Sequence, residues 1–373
     1  MPSSIQVLLV SAQAAPNLLP ALDPELKPER AILLVSKKME DQARALQKVL
    51  GEAGVSTQIE PIEDEHSFEQ LENTLLKLAE QFSGQSIALN VTGGTKLMAL
   101  AAQSVAQAYD WPVFYVDLDT DEVIWLGKES RRKPLQATLR LRHYLLSYGF
   151  QIEGGIERPQ LDRARQQLTQ TLIKDIGSLE EPIGQLNWLA QQAEDKRRLD
   201  TFLTETQQDS RKLEALLRHF EEAGVLRSNG STIHFPTEQD RDFTKGGWLE
   251  HHVYGVLGSL GHGIRDKAAN LVVIDNKGVR NELDVAFMAR NRLFVIECKT
   301  ARMDGERALK ANDTLFKLSE ICRRVGGLGT RGVLASYRKM GDSERKLATA
   351  LGLKVICGPE LMRLEEQLRN WLK

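Results

Sequence analysis

Two carboxylates and a lysine near the end of the chain have the residue types and spacing that metal-dependent hydrolysis requires. Asp284 opens an apolar run, twelve residues separate it from Glu297, and Lys299 follows two positions later. Asn291 and Arg292 interrupt the apolar residues between them, so the pattern predicts two strands joined by a tight turn. Such a hairpin places Asp284 beside Glu297, where their mutual repulsion favours binding of Mg²⁺ or Mn²⁺.

Side-chain alternation along the second strand separates the lysine from the cysteine before it. Lys299 and Glu297 point to the same face. An ammonium there can orient an attacking water or stabilise a charged transition state. Cys298 points to the opposite face, and we interpret it as a packing residue. The alternative for the whole motif is a hairpin with a surface Glu/Lys pair.

An upstream segment, residues 246–257, supplies a further carboxylate, Glu250. Apolar residues recur there near helical spacing, which predicts a half-buried helix that presents Glu250. These apolar residues are Trp248, Leu249, Val253, Val256 and Leu257.

The pattern Asp284, spacer, Glu297-Cys298-Lys299 resembles the core motif of the PD-(D/E)xK nucleases, which share the restriction-endonuclease-like fold. The resemblance implies metal-dependent hydrolysis of phosphodiester bonds. The implied roles are metal ligation by Asp284, Glu297 and the main-chain carbonyl of Cys298, water activation by Lys299, and assistance through the metal's water shell by Glu250.

Composition limits the class of protein. The 373 residues suffice for two or three domains, and 42% hydrophobic with 27% charged residues is typical of globular proteins. A net charge of −2 provides no global basic field, so nucleic-acid binding would depend on local patches. No run of 18 apolar residues occurs, so we predict no membrane span or membrane partner. Three scattered cysteines and no leader-like start favour a cytoplasmic location.

Strand-like and helix-like segments alternate over residues 1–145, which favours a doubly wound parallel sheet that binds ligands at the carboxyl ends of its strands. Strands are predicted at 5–10, 31–35, 56–62, 86–91, 113–116 and 122–126, and helices at 39–53, 67–82 and 97–109. The charged run 131–133 is predicted to be a loop.

The loop 90–96, with the sequence NVTGGTK, stands between a predicted strand and a predicted helix. Its two glycines allow close approach of a ligand to the backbone, and the N–H groups at the helix start attract phosphate. Its threonines and lysine add further donors. The alternative is a plain turn in which Thr95 caps the helix.

Residues 1–145 resemble the CARF domain, the Rossmann-like sensor of cyclic oligoadenylates in type III CRISPR defence. The resemblance is carried by the loop 90–96, the loop 11–20 after the first strand and the segment 35–37 after the second. It implies a two-fold dimer that binds one ring ligand. The implied ring-binding residues are Ser11, Gln13, Asn17, Ser36, Thr92, Gly93, Gly94, Thr95 and Lys96. Open alternatives are a turn donor for Ser11, a helix cap for Asn17 and a bracing role for Asn90.

Residues 146–240 resemble a linker followed by a winged-helix module. A connection is predicted over 148–161, helices over 183–193 and 210–223, and a strand–turn–strand hairpin over 224–235. The mixed charge of this region favours a structural linker over a DNA reader.

Residues 241–373 continue after the motif with a helical pattern over 300–325, a flexible turn over 326–330, and then strand, helix, strand and helix over 331–336, 343–351, 355–357 and 360–372. This order suits the restriction-endonuclease-like core. Candidates to contact substrate phosphates are Thr300, Lys310, Asp313 and Lys317.

Taken together, the chain resembles CARF–nuclease fusions. We expect an α/β homodimer that acts in type III CRISPR antiviral defence as a metal-dependent nuclease. Cyclic tetra-adenylate would activate it allosterically, with single-stranded DNA, nicked duplex DNA or RNA as substrate. The alternative is a non-catalytic ring-nucleotide-sensing transcription regulator that uses the winged-helix-like module. A third hypothesis, that the N-terminal domain also degrades its own activator, stays open.

Overall fold

Three β-sheets organise the chain in the computed structural model, which describes residues 3–127, 131–156, 162–301 and 308–372, except the side chains of residues 156, 262, 308–310 and 328. The strands are β1 Ile5–Leu9, β2 Arg30–Ser36, β3 Ser56–Ile62, β4 Ile87–Asn90, β5 Val113–Asp117, β6 Glu122–Leu126, β7 Arg131–Pro134, β8 Gln151–Ile156, β9 Asp200–Phe202, β10 Arg227–Asn229, β11 Thr232–His234, β12 Ile264–Ile274, β13 Arg280–Ala289, β14 Arg292–Lys299, β15 Arg331–Ser336 and β16 Leu353–Cys357.

The helices connect and cover these sheets. They are α1 Ala15–Leu22, α2 Glu40–Glu52, α3 Phe68–Gln81, α4 Lys96–Ala108, α5 Leu141–Ser147, α6 Arg163–Lys174, α7 Ile176–Asp195, α8 Glu205–Gln208, α9 Arg211–Glu222, α10 Glu238–Asp242, α11 Trp248–Ser259, α12 Ala308–Gly326, α13 Asp342–Ala350 and α14 Leu364–Trp371, with a π-helical turn at Phe243–Gly247. Within the described residues, no helix is both long and apolar enough to cross a membrane.

The N-terminal sheet has seven strands in the order β3-β2-β1-β4-β5-β6-β7. The first five in this order pair in parallel, as the alternating pattern predicted, and β6 and β7 add antiparallel pairs at the edge. The prediction of a loop over 131–133 was wrong, because this segment is the edge strand β7. Charged side chains on an edge strand prevent it from pairing with other chains. The charged composition of β7 therefore does not distinguish it from a loop.

The C-terminal sheet has the order β16-β15-β14-β13-β12-β8 and contains the predicted hairpin. β13 and β14 pair antiparallel from Val285 opposite Ile296 to Ala289 opposite Arg292. The two turn residues, Arg290 and Asn291, both have positive φ, 48° and 54°, as a two-residue turn of type I′ requires. β15 and β16 continue the sheet in parallel.

One strand of the C-terminal sheet comes from the segment that we predicted to be a connection. The prediction over 148–161 was wrong for Gln151–Ile156, which forms β8 and pairs antiparallel with β12. The chain therefore enters the C-terminal sheet before it forms the middle module. The domain limits 1–145, 146–240 and 241–373 stay predictions.

The middle module consists of helices and the small sheet β10-β11-β9. The predicted strand–turn–strand segment is confirmed as β10 and β11, whereas β9 and α6 were not predicted. Its helices share a core with the C-terminal sheet, since Leu186 and Phe220 belong to the same buried cluster as Trp248, Phe287 and Tyr337. A second buried cluster joins the N-terminal sheet to the C-terminal sheet, so both neighbours hold the C-terminal sheet through apolar contact.

Candidate active site and sensor pocket

The predicted catalytic side chains converge at the end of the β13–β14 hairpin. Lys299 Nζ lies 2.6 Å from Glu297 Oε1 and 3.8 Å from Asp284 Oδ2. The backbone N–H of Cys298 donates to Asp284 Oδ2 at 2.7 Å, which fixes this carboxylate against the neighbouring strand. The side chains of Asp284 and Glu297 are 15% and 23% exposed, so both are accessible at one face. Cys298 is buried in the core, as predicted.

The charges of this cluster influence one another because they are crowded and partly removed from water. Burial raises the pKa of Asp284 to about 7, and the charge of Glu297 adds to the shift. For Lys299, burial alone would lower the pKa, but the carboxylates of Glu297 and Asp284 outweigh it and raise the pKa. The lysine is therefore a cation at neutral pH beside a carboxyl group that titrates near neutrality.

Glu250 lies on α11, as the helical periodicity predicted, one turn after the π-helical turn. Burial raises its pKa to about 8, and the nearby charge of Asp284 is the next largest cause. A glutamate whose ionisation depends on Asp284 in this way faces the same cluster. The π-helical turn before it is a feature that proteins often place at functional sites.

A buried network from the middle module holds the residue after Lys299. Thr300 is buried, and its hydroxyl contacts the side-chain amide of Asn187 on α7 at 2.8 Å and the carbonyl of Lys245 at 3.3 Å. The prediction that Thr300 reaches substrate was therefore wrong, because its hydroxyl is used internally. Tyr337 adds a further restraint, since its N–H donates to the carbonyl of Lys299 at 2.8 Å.

The remaining predicted phosphate contacts lie on α12. Asp313 and Lys317 are exposed on this helix, and no contact joins them to the cluster in the part of the chain that the structure describes. The side chain of Lys310 falls outside the described residues.

The donor set of the cluster fits a small hard cation. Two carboxylates, Asp284 and Glu297, converge there, and Mg²⁺ is usually bound through one or two carboxylates with water completing the shell. Burial and, after it, the charge of Glu297 raise the pKa of Asp284, and a bound cation would neutralise the negative charge of this pair. Three or more His, Cys, Asp or Glu side chains in metal-holding geometry do not occur among the described residues.

The sensor loop lies at the carboxyl ends of β1 and β4. Asn90 braces it: its amide donates to the carbonyl of Pro16 at 2.9 Å and to Asn17 at 3.2 Å, and its oxygen accepts from the N–H and hydroxyl of Thr92. The hydroxyl of Thr92 also accepts from the N–H of Val116 at 2.7 Å, which ties the loop to β5.

The two loop glycines are required for different geometric reasons. A Cβ on Gly93 would lie 1.9 Å from the carbonyl oxygen of Leu9, so only glycine allows this approach to β1. Gly94 has φ +70°, a left-handed conformation that other residues rarely adopt. Thr95 caps α4 by accepting from the N–H of Met98, and Lys96 is exposed on the first turn of the helix.

Two other residues predicted at the ring are buried with internal partners. Asn17 lies inside α1 rather than at its cap, and its amide donates to the carbonyl of Leu9 at 2.8 Å. Ser36 is buried and hydrogen-bonds the carboxylate of Glu65, which lowers the pKa of that carboxyl. Both side chains therefore shape the loops rather than face a cavity.

A cavity of about 530 Å³ opens between the N-terminal sheet and the C-terminal sheet. Ser11, Gln13 and Thr92 of the predicted ring-binding set line it. The opposite wall includes Arg292 and Arg331, which were not predicted. No local pattern marks these arginines, because they reach the cavity only when the two sheets come together.

Two family models match separate parts of the chain. Residues 5–144 match the family model described as the Card1 CARF domain, and residues 237–373 match the Card1-like endonuclease domain. The chain is a CARF-fused endonuclease. Its fold thus combines an N-terminal CARF domain with a C-terminal endonuclease domain, as the sequence predicted.

Solved structures resemble this CARF-fused endonuclease over nearly its whole length. The protein VC1899 from Vibrio cholerae is 29% identical, with a TM-score of 0.89, over 99% of this chain and 97% of that one. Can2 from Sulfobacillus thermosulfidooxidans, solved in complex with cyclic tetra-adenylate, is 25% identical, with a TM-score of 0.84, over 99% of both chains. The search of curated proteins found no match.

Proposed function

We propose that this CARF-fused endonuclease is a metal-dependent nuclease of type III CRISPR antiviral defence that cyclic tetra-adenylate activates. The observation that carries the catalytic part is the convergence of Asp284, Glu297 and Lys299 at the open end of one hairpin. Lys299 lies 2.6 Å from Glu297 and beside Asp284, whose pKa is raised to about 7. A non-catalytic transcription regulator does not require this arrangement.

In this mechanism, Asp284, Glu297 and the main-chain carbonyl of Cys298 would hold Mg²⁺ or Mn²⁺. When bound, the cation polarises the phosphodiester and lowers the pKa of water. Lys299 orients the attacking water and donates to the phosphate oxygens. Glu250 lies at the same cluster and would assist through the metal's water shell.

The activator is assigned from similarity and from the sensor loop. Can2, which resembles the chain from end to end, was solved with cyclic tetra-adenylate. The loop 90–96 presents backbone N–H groups at the start of α4, with Lys96 exposed beside them, an arrangement that suits phosphate. We assign Gly93, Gly94, Thr95 and Lys96 to phosphate contacts. Ser11, Gln13 and Thr92 would contact the rest of the ring from the cavity wall.

A homodimer follows from the symmetry of the ligand, because a ring with repeated phosphates is matched by two equivalent loops about a two-fold axis. The helix that starts at the sensor loop also carries an apolar side chain in solvent: Leu100 on α4 is 62% exposed, one turn after Lys96. We propose that the second copy covers Leu100. Leu100→Asp should therefore convert a dimer to a monomer in light scattering, while Leu126→Asp, at a 44% exposed residue on β6, should not.

A cleavage assay tests the proposal most directly. The protein is incubated with Mn²⁺ or Mg²⁺ and with rings of three, four or six adenylates, against single-stranded DNA, nicked duplex DNA and RNA. We expect cleavage that requires both metal and the four-membered ring. Ring binding without cleavage of any substrate would favour the non-catalytic regulator instead.

The three cysteines are free and buried, which supports action in the reducing cytoplasm.

A further inference from the structure

The catalytic hairpin contacts the sensor domain at its tip. The side chain of Asn291 accepts from the N–H of Leu139 at 2.9 Å and donates to the carbonyl of Ala137 at 3.3 Å. Next to it, the guanidinium of Arg292 donates to the carbonyl of Leu118 at 3.2 Å and to the carboxylate of Asp119. One end of the hairpin is therefore attached to the sensor, and the other end carries Glu297 and Lys299.

Arg292 also lines the cavity between the two sheets, where Ser11, Gln13 and Thr92 form the sensor wall. A volume of about 530 Å³ lies within the range of ligand sites. The sensor wall offers the side-chain amide of Gln13, beside the hydroxyls of Ser11 and Thr92, which also have internal partners. The endonuclease wall offers the guanidinium groups of Arg292 and Arg331. In a molecule with phosphates and nucleosides, the phosphates would contact the arginines of the endonuclease wall, and the nucleosides would contact the polar groups of the sensor wall.

Two carboxylates, Asp117 and Asp119, line the same cavity. Their negative charge opposes the binding of phosphate. Asp119 is the present partner of Arg292, and its side chain is 88% exposed. An ion pair with one partner this exposed is weak, since water screens it. A phosphate oxygen can therefore compete for the same guanidinium, and an arginine binds phosphate through two parallel hydrogen bonds.

We propose that Arg292 binds a phosphate of the cyclic oligoadenylate from the endonuclease side and exchanges its bond to Asp119 for the ligand. The inference rests on the proposed function and adds a ligand residue from outside the CARF domain. It also connects the ligand to the chemistry. Arg292 begins β14 and Glu297 lies five residues further along the same strand, about 17 Å away at roughly 3.3 Å per residue.

Ring binding by the full-length protein tests this inference, with cyclic tetra-adenylate as the probe in titration calorimetry. Arg292→Ala should weaken binding on the order of 10- to 100-fold, the range for hydrogen bonds to charged groups. Arg292→Lys should restore part of the loss. Asp119→Asn should tighten binding by about 2- to 5-fold, because it removes the competing carboxylate. Arg280→Ala is the matched control: this exposed arginine lies at the other end of the same hairpin and should bind as wild type does.

The outcomes separate this inference from the proposed function. If wild type binds the ring and Arg292→Ala binds it equally well, the inference is overturned while the proposed sensor stands. If wild type binds no ring, both are overturned. Weaker binding in Arg292→Ala together with tighter binding in Asp119→Asn supports the exchange, because loss of fold integrity would not produce opposite effects in the two variants.

Discussion

The sensor loop and the catalytic cluster are prepared for their ligands in opposite ways. In the loop 90–96, the polar side chains of Asn90, Thr92 and Thr95 are satisfied by the protein itself, so the shape of the loop is complete. In the cluster, Asp284 and Glu250 are held in surroundings that disfavour their charged forms. The loop is organised by hydrogen bonds, whereas the cluster holds two carboxyl groups whose charged forms are disfavoured by burial and, after it, by neighbouring charges.

This difference has a consequence for substitutions. In the loop, the internal hydrogen bonds of Asn90 and the close approach of Gly93 to β1 determine the shape of the backbone, so changes at these two residues act through geometry. In the cluster, the charged forms of Asp284 and Glu250 are unfavourable for the folded state but favourable for cation binding, so substitutions of these two carboxylates should raise stability and lower activity. Activity, ring affinity and stability measured on the same variants therefore test this contrast.

Substitution of either carboxylate that we assign to the metal should abolish most of the cleavage activity. Glu297→Gln or Asp284→Asn removes a charge that we assign to the metal, a change worth several kcal/mol in the transition state, or about 10³-fold or more in rate. Ring affinity should stay near the wild-type value because the sensor wall is intact. Single-turnover cleavage and calorimetry on the same preparations measure both.

Glu282→Gln is the control for this pair, since Glu282 is an exposed carboxylate two residues from Asp284 on β13. It should retain most of the activity. Cleavage at wild-type rate in both cluster variants would remove the catalytic assignment and leave the hairpin with a surface Glu/Lys pair.

In the sensor loop, Lys96→Ala should weaken ring binding by about 1–3 kcal/mol, or roughly 10- to 100-fold, because it removes an exposed cation from the start of α4. Cleavage at saturating ring should recover, since the cluster is unchanged. Lys77→Ala, on the exposed face of the neighbouring helix α3, is the control. Equal affinities of Lys96→Ala and wild type in calorimetry would contradict the assignment of the ring to this loop.

A change of loop geometry should act on stability. Gly93→Ala places a Cβ 1.9 Å from the carbonyl oxygen of Leu9, so the backbone must shift, at a cost of about 1–3 kcal/mol of unfolding free energy. Gly51→Ala, in α2, meets no atom within 4 Å and should stabilise by about 0.5–1 kcal/mol. Denaturant unfolding of both variants compares them. A neutral Gly93→Ala would show that the loop adapts rather than being fixed.

The sequence predicted those parts of both sites that depend on local pattern. The hairpin, the helix of Glu250 and the alternating N-terminal elements follow from periodicity and turn chemistry, and each is confirmed. The network between Asn187 and Thr300 joins residues 113 positions apart, and no spacing rule reveals such a contact. Strand β8 was missed for a related reason: its Gly154 and Gly155 favour a turn locally, and only pairing with β12 makes the segment a strand.

The raised pKa of Glu250 predicts a weak dependence of the unfolding free energy on pH. A carboxyl group that holds its proton more tightly in the folded state than in the unfolded chain favours folding at low pH. With a pKa raised from 4.5 to about 8, stability contributed at Glu250 falls as pH rises through that window. From pH 7 to pH 8, metal-free wild type should lose on the order of 1 kcal/mol of unfolding free energy relative to Glu250→Gln. Saturating Mn²⁺ should shrink this loss, because a cation replaces the proton. Thermal unfolding of both proteins at pH 6, 7 and 8, with chelator and with Mn²⁺, measures the difference. Parallel pH profiles of the two proteins in chelator would show that Glu250 is not under electrostatic strain, and the contrast between the two regions would then rest on Asp284 alone.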